Sequence, residues 1–119
     1  MVLICNNAAP SCLKAKNWLD EKGITYAIRD AYKNNPDFEE LTNWQEKTSA
    51  PVQSFFDEAS AEYRKLNLEK KLLSMDDESK LSLLSEDPKL LTLPILDTGQ
   101  VVLIGFDPTT WEQALLSAK

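Results

Sequence analysis

The chain has 119 residues, 43% of them apolar and 27% charged, which suits one globular domain able to bury a core without staples. Its 19 acidic and 13 basic residues leave a net charge of −6, a balance that favours solubility and disfavours nucleic acid as a direct partner. Histidine is absent, which removes the commonest general base and the commonest metal ligand, and no apolar run approaches the roughly 20 residues a membrane span needs.

The basic residues are lopsided: eleven lysines against two arginines, Arg29 and Arg64. Planar, bidentate capture of an oxyanion usually calls on arginine, so two arginines far apart make a poor clamp. Cys5 and Cys12 are the two cysteines. No basic stretch precedes Val2-Leu3-Ile4, so no export signal is expected. The expectation is a reduced, cytoplasmic protein.

In chain order, Val2 to Cys5 predicts a buried strand and Asn6 to Ala9 a loop. Pro10 suits the first turn of a helix, where its missing N–H costs nothing. Cys12, Ala15, Trp18, Leu19 and Lys22 trace one face of that helix, and Gly23 suits a left-handed cap. Thr25 to Arg29 alternates and predicts a second strand, completing a right-handed βαβ unit with a parallel pair. Asn34-Asn35-Pro36-Asp37 turns into a helix with Phe38, Leu41 and Trp44 as its stripe. Pro51 starts a segment that buries Val52, Phe55 and Phe56. Ser60 to Leu66 predicts a helix, Leu68 to Leu72 a helical turn, and Ser74 to Glu78 the capped, acidic start of another helix. Asp87-Pro88 ends it. Pro94 to Asp97 and Val101 to Phe106 predict a hairpin around Thr98-Gly99-Gln100. Asp107-Pro108 opens the last helix, with Thr109 or Asp107 as cap and Trp111, Ala114 and Leu115 facing inward.

A βαβ half and a ββα half make an α/β, thioredoxin-like fold: a four-stranded mixed sheet with helices on its faces. One domain is expected over 1–119, with its core in about 1–33 and 88–119 and a helical insertion over about 36–87.

The sequence resembles the arsenate reductase (ArsC) and Spx family of thioredoxin-fold proteins. The resemblance lies in Cys12-Leu13-Lys14-Ala15-Lys16-Asn17-Trp18-Leu19 followed by Gly23-Ile24-Thr25-Tyr26. It continues in Phe55-Phe56 with Tyr63-Arg64-Lys65-Leu66-Asn67-Leu68, in Leu90-Leu91 with Pro94-Ile95-Leu96, and in Gly105-Phe106 with Trp111. It runs nearly the whole chain. It implies a nucleophilic cysteine where this chain has Ala9, with a second cysteine at Cys12. It implies arginines where this chain has Ala59 and Leu93. It also implies a cis bond before Pro94, whose backbone edge would meet an extended substrate.

Three polar positions of the family site are therefore apolar here. That pattern fits a redesigned sequence and a natural degenerate paralogue alike. The expectation is an ArsC/Spx-like scaffold, inactive as a reductase, monomeric and without a cofactor. One alternative is a glutathione-coupled monothiol reductase using Cys12. Another is an Spx-like regulator docking on RNA polymerase. Glutathione, glutaredoxin or RNA polymerase is expected as a partner only if the family function is retained; neither nucleic acid nor membrane is expected.

Cys12 has a functional reading, as a thiol activated by the helix N-terminus, and a bland one, as a small buried apolar residue. The second is preferred because the partner thiol at position 9 is missing. A Cys5–Cys12 disulfide is not expected, because a strand end facing the core rarely meets that helix turn. Arg64, near Asp57, Glu58 and Glu62, is expected in a surface ion pair. Asp76-Asp77-Glu78 has the spacing of a helix start, not of a calcium loop. Trp18, Trp44 and Trp111 are expected as core or cap-packing residues.

Overall fold

Residues 1–6, 9–48 and 50–116 are described by the structure, a computed structural model. β1 (Val2–Cys5) pairs in parallel with β2 (Ala27–Asp30) and antiparallel with β3 (Ile95–Asp97), which pairs antiparallel with β4 (Val102–Ile104). The sheet order is β2-β1-β3-β4. This is the mixed sheet of a thioredoxin-like fold. The parallel pair needs a crossover, which α1 (Pro10–Glu21) supplies.

Strand periodicity sends alternate side chains to opposite faces, and the two faces build separate cores. Ile4, Ile95 and Val102 join one cluster; Leu3, Cys5 and Leu96 join the other. The first face is covered by α2 (Phe38–Lys47), α3 (Ala61–Lys65), α4 (Leu68–Lys71) and α5 (Asp77–Glu86), through Leu41, Trp44, Tyr63, Leu68, Leu81 and Leu84. The turn Val52–Phe55 adds Val52 and Phe55. The second face is covered by α1 and α6 (Pro108–Leu115), through Cys12, Ala15, Leu19 and Trp111. The middle helices thus form one of the two layers on the sheet. Each fully buried leucine or phenylalanine contributes on the order of 2 kcal/mol by leaving water.

The helix starts follow from local chemistry. Asp37, Ser60, Asp76 and Asp107 cap α2, α3, α5 and α6, their side-chain oxygens accepting from Glu40, Tyr63, Ser79 and Thr109 N–H groups. Of the two candidate caps for the last helix, the structure uses Asp107. α1 ends in a Schellman turn: Gly23 N–H donates to Asp20 O and Ile24 N–H to Leu19 O. Gly23 sits there at φ +69°, with open space around it, so the backbone angle and not crowding demands glycine.

Some boundaries shift from expectation. β2 starts at Ala27 instead of Thr25, because β1 offers only Val2 to Cys5 as partners. β4 spans Val102–Ile104, because β3 is three residues long. Phe38 lies on the exposed side of α2. Among the described residues the ion pair formed is Arg29–Glu40, a bidentate contact at 2.6 and 2.7 Å; Arg64 lies exposed instead. No helix among the described residues is long and apolar enough to cross a membrane.

Candidate functional site at the start of the first helix

The N-terminus of α1 is where the sheet, the crossover helix and the hairpin converge. Ala9 is its N-cap residue and provides no side-chain cap; Pro10 follows at the first helical position. Ala9 N–H donates to Asn6 O at 2.9 Å, and Cys12 N–H to Ala9 O at 3.1 Å. Ser11 Oγ donates to Leu93 O at 3.0 Å, tying the helix start to the segment before β3. The Leu93–Pro94 bond is cis, as the resemblance implies. Pro94 is buried, and its carbonyl accepts from Gly105 N–H at 2.8 Å. The carbonyls on both sides of the cis bond therefore already accept hydrogen bonds within the chain.

Of the three apolar replacements, Ala9 and Leu93 pack against the same cluster at this place. Ala59 is exposed, on the turn before α3, where its N–H donates to Asp57 Oδ1. Asn7 and Ala8 lie outside the described residues.

Cys12 and Cys5 are each 1% exposed, as free thiols in one cluster with Leu3, Ala15, Leu19, Leu96 and Trp111. The strand end and the helix turn share that cluster, with both cysteines free. Leu3 and Cys5 share the face of β1 that α1 covers, and Cys12 stands one helical turn before Ala15 on the covering side. The parity of β1 held that signal.

Hydrogen bonding from Cys5 holds Cys12 below its ordinary value, at about 7, against the opposing effect of burial; the Asn6 backbone and the Lys16 charge help. Cys5 is pushed far up, first by its bond to Cys12, then by burial and the neighbouring negative charge. The pair therefore has one side disposed to be thiolate and one disposed to stay thiol. Lys16 follows Cys12 by four residues, the helical spacing that places its charge on the same side. Asn6 and Lys16 were not singled out in the sequence; only that spacing pointed to Lys16.

Beside this pair stands an aromatic group. Trp111 meets Phe106 edge-on at 4.9 Å between centroids and Trp18 at 6.1 Å, and its indole N–H donates to Gly105 O. Trp111 is buried, while Trp18 is half-buried with Lys22 over its ring. Among the described residues no group of three or more Cys, Asp or Glu side chains could hold a metal ion.

A solved structure shares this architecture, and relatives match in sequence. An ArsC family related protein from Bacteroides fragilis superposes with a TM-score of 0.91 at 37% identity, covering 94% of each chain. The uncharacterized protein YusI of Bacillus subtilis is 34% identical over 103 residues, covering 87% of this chain and 87% of its own length. The regulatory protein MgsR of the same organism is 32% identical over 98 residues, covering 82% and 76%. The model of the ArsC family matches residues 6–114, and with the sheet order and the cis bond before Pro94 already in place, this chain belongs to the ArsC family.

Proposed function

We propose that this chain is an ArsC-family scaffold that does not reduce arsenate, working as a monomer in the cytoplasm. The observation that carries the reading is Ala9 at the N-cap of α1. Arsenate reduction needs a thiolate to attack arsenic and cations to hold its oxygens. A methyl group stands where the resemblance implies the attacking sulfur, and Leu93 and Ala59 replace the implied arginines. The same reading holds for a natural degenerate paralogue and for a redesigned sequence. Purified protein with glutathione and glutaredoxin is expected to turn over arsenate no faster than a no-protein control. Turnover above that control overturns the proposal.

A monothiol reductase built on Cys12 is disfavoured by burial, since that thiol is 1% exposed. Slow alkylation of Cys12 by a bulky maleimide in the folded state, and fast alkylation after unfolding, is the expected result. A second reading takes its partner from the resemblance to Spx, with one relative named as a regulatory protein, MgsR: the scaffold acts by docking on RNA polymerase. Co-purification with the polymerase core enzyme supports it, and no retention on immobilised polymerase sinks it.

A further inference from the structure

An open sheet has two edges, and each leaves backbone N–H and C=O groups without a ladder partner. In this chain the edges are β2 and β4. The β2 edge turns back on itself, since Asp30 O accepts from Asn34 N–H. The β4 edge does not. We propose that β4 is the docking site for an extended peptide segment of a partner protein, which adds as a further antiparallel strand and carries apolar side chains between a basic start and an acidic end.

The hydrogen-bond register shows which groups are on offer. Thr98 N–H donates to Val101 O at 3.0 Å, and Gly105 N–H to Pro94 O at 2.8 Å. Bonded residues alternate along an antiparallel pair. With Ile95, Leu96 and Asp97 set against Ile104, Leu103 and Val102, it is Leu103 that turns its N–H and C=O toward β3. Val102 and Ile104 turn theirs outward, and no described residue bonds them. An antiparallel segment centred on Leu103 exchanges a pair of hydrogen bonds with each of them.

Two cavities lie along this edge. One of about 380 Å³ has Lys47 on one wall and Thr110 and Ala114 on the other, over Val101 to Leu103. The next, of about 220 Å³, sets Thr48 and Ala50 across from Asp107 over Leu103 to Gly105. The walls come from the end of α2 and from α6, which cover opposite faces of the sheet, so the edge is the floor of a groove. Exposed edges are ordinarily blunted by lysine, proline or a bulge, whereas β4 reads Val-Leu-Ile. Here the walls take that role. A second copy has to bring its own α2 end and α6 against them, while a single extended segment is about 5 Å across and enters between. The charges choose its direction. Lys47 stands at the Val101 end and forms no ion pair among the described residues, and Asp107 stands at the Gly105 end. An antiparallel segment therefore starts with a basic residue beside Asp107 and finishes with an acidic one beside Lys47. Its alternate side chains on the α6 side meet Leu103 and Ala114, which calls for apolar residues there.

The test is amide NMR of the isotope-labelled full chain, titrated with the capped peptide Lys-Thr-Val-Thr-Val-Asp. The expected result is a shift of the Val102 and Ile104 amides and slower hydrogen exchange at both. The same peptide methylated on the backbone nitrogens of its threonines, which face Val102 and Ile104, is expected to lose both effects. The charge-reversed peptide Asp-Thr-Val-Thr-Val-Lys is expected to bind up to about fivefold more weakly, as one or two exposed ion pairs allow, and Lys47→Glu to narrow that gap. Unmoved Val102 and Ile104 amides overturn the proposal. So does equal binding of the methylated peptide, or equal binding of the charge-reversed one. A concentration-dependent dimer that protects the same amides makes a second copy the occupant and overturns it too. The peptides decide on the wild type, whatever the stability of the variant, and none of these readouts depends on arsenate turnover.

Discussion

The two faces of the sheet are built to different rules. The face under α2–α5 is closed by three helices with side-chain caps, where Asp37, Ser60 and Asp76 each accept a backbone N–H, and by the four-residue α4, which has none. Its core holds leucines and aromatic rings and no cysteine. The face under α1 and α6 holds both thiols, and the helix covering them starts at a residue with no side-chain cap. Among the described helices of eight residues or more, α1 alone starts this way. A missing cap costs about 1 kcal/mol. The difference separates a closed face from the face that carries the uncapped helix start, where the resemblance implies a sulfur and the chain has Ala9.

The largest expected effect tests whether the faces are separate. Trp111→Ala removes a buried indole with two edge-on ring partners, and Phe55→Ala removes a buried phenyl from the opposite core. Each is expected to cost about 3–5 kcal/mol in urea unfolding. Only Trp111→Ala should speed maleimide labelling of Cys12 under native conditions, since only Trp111 shares its cluster. Equal acceleration by both variants breaks the comparison.

A smaller effect appears in the pH dependence of stability. Cys12 has a folded value of about 7, below the ordinary thiol value of 9.0. Its contribution is complete above about pH 9 and is lost as pH falls through about 7. Cys5 is raised, so its contribution is lost as pH climbs above the unfolded value. The reduced protein should therefore gain stability between about pH 7 and 9 and lose it beyond. In Cys12→Ala the gain should vanish. Urea titrations of both proteins across that range make the measurement, and parallel curves contradict the assignment of Cys12 as the thiolate.

The smallest effects concern the caps. Asp76→Ala, on the closed face, should lower the urea midpoint by removing the oxygen that accepts from Ser79 N–H. Ala9→Ser should gain up to about 1 kcal/mol by supplying the missing acceptor. Destabilisation by Ala9→Ser would show that the α1 start is satisfied some other way.

Local chemistry made much of the fold legible. Pro10 marked the start of α1, Asp37, Asp76 and Asp107 marked three more helices, and Gly23 marked a helix end, because caps and breakers act within a few residues. β1 was placed at Val2 to Cys5 as its apolar run implies. The ends of β2 and β4 were not legible, since a strand lasts only as long as its neighbour provides hydrogen bonds. The cis bond before Pro94 came from the resemblance, not from the residues around it. Three apolar residues stood out against the implied polar ones in a row of similar motifs, yet only Ala9 and Leu93 share one place in the fold. Arg29 and Arg64 carry the same charge, but only Arg29 stands where a carboxylate fits its fork, a fact set by the packing of α2 against the sheet edge. The meeting of Cys5 and Cys12 is the sharpest case. Composition supplied two cysteines and strand parity supplied their side of the sheet. That they share one core depended on α1 packing over β1, where Leu19, Leu96 and Trp111 join the same cluster from distant parts of the chain.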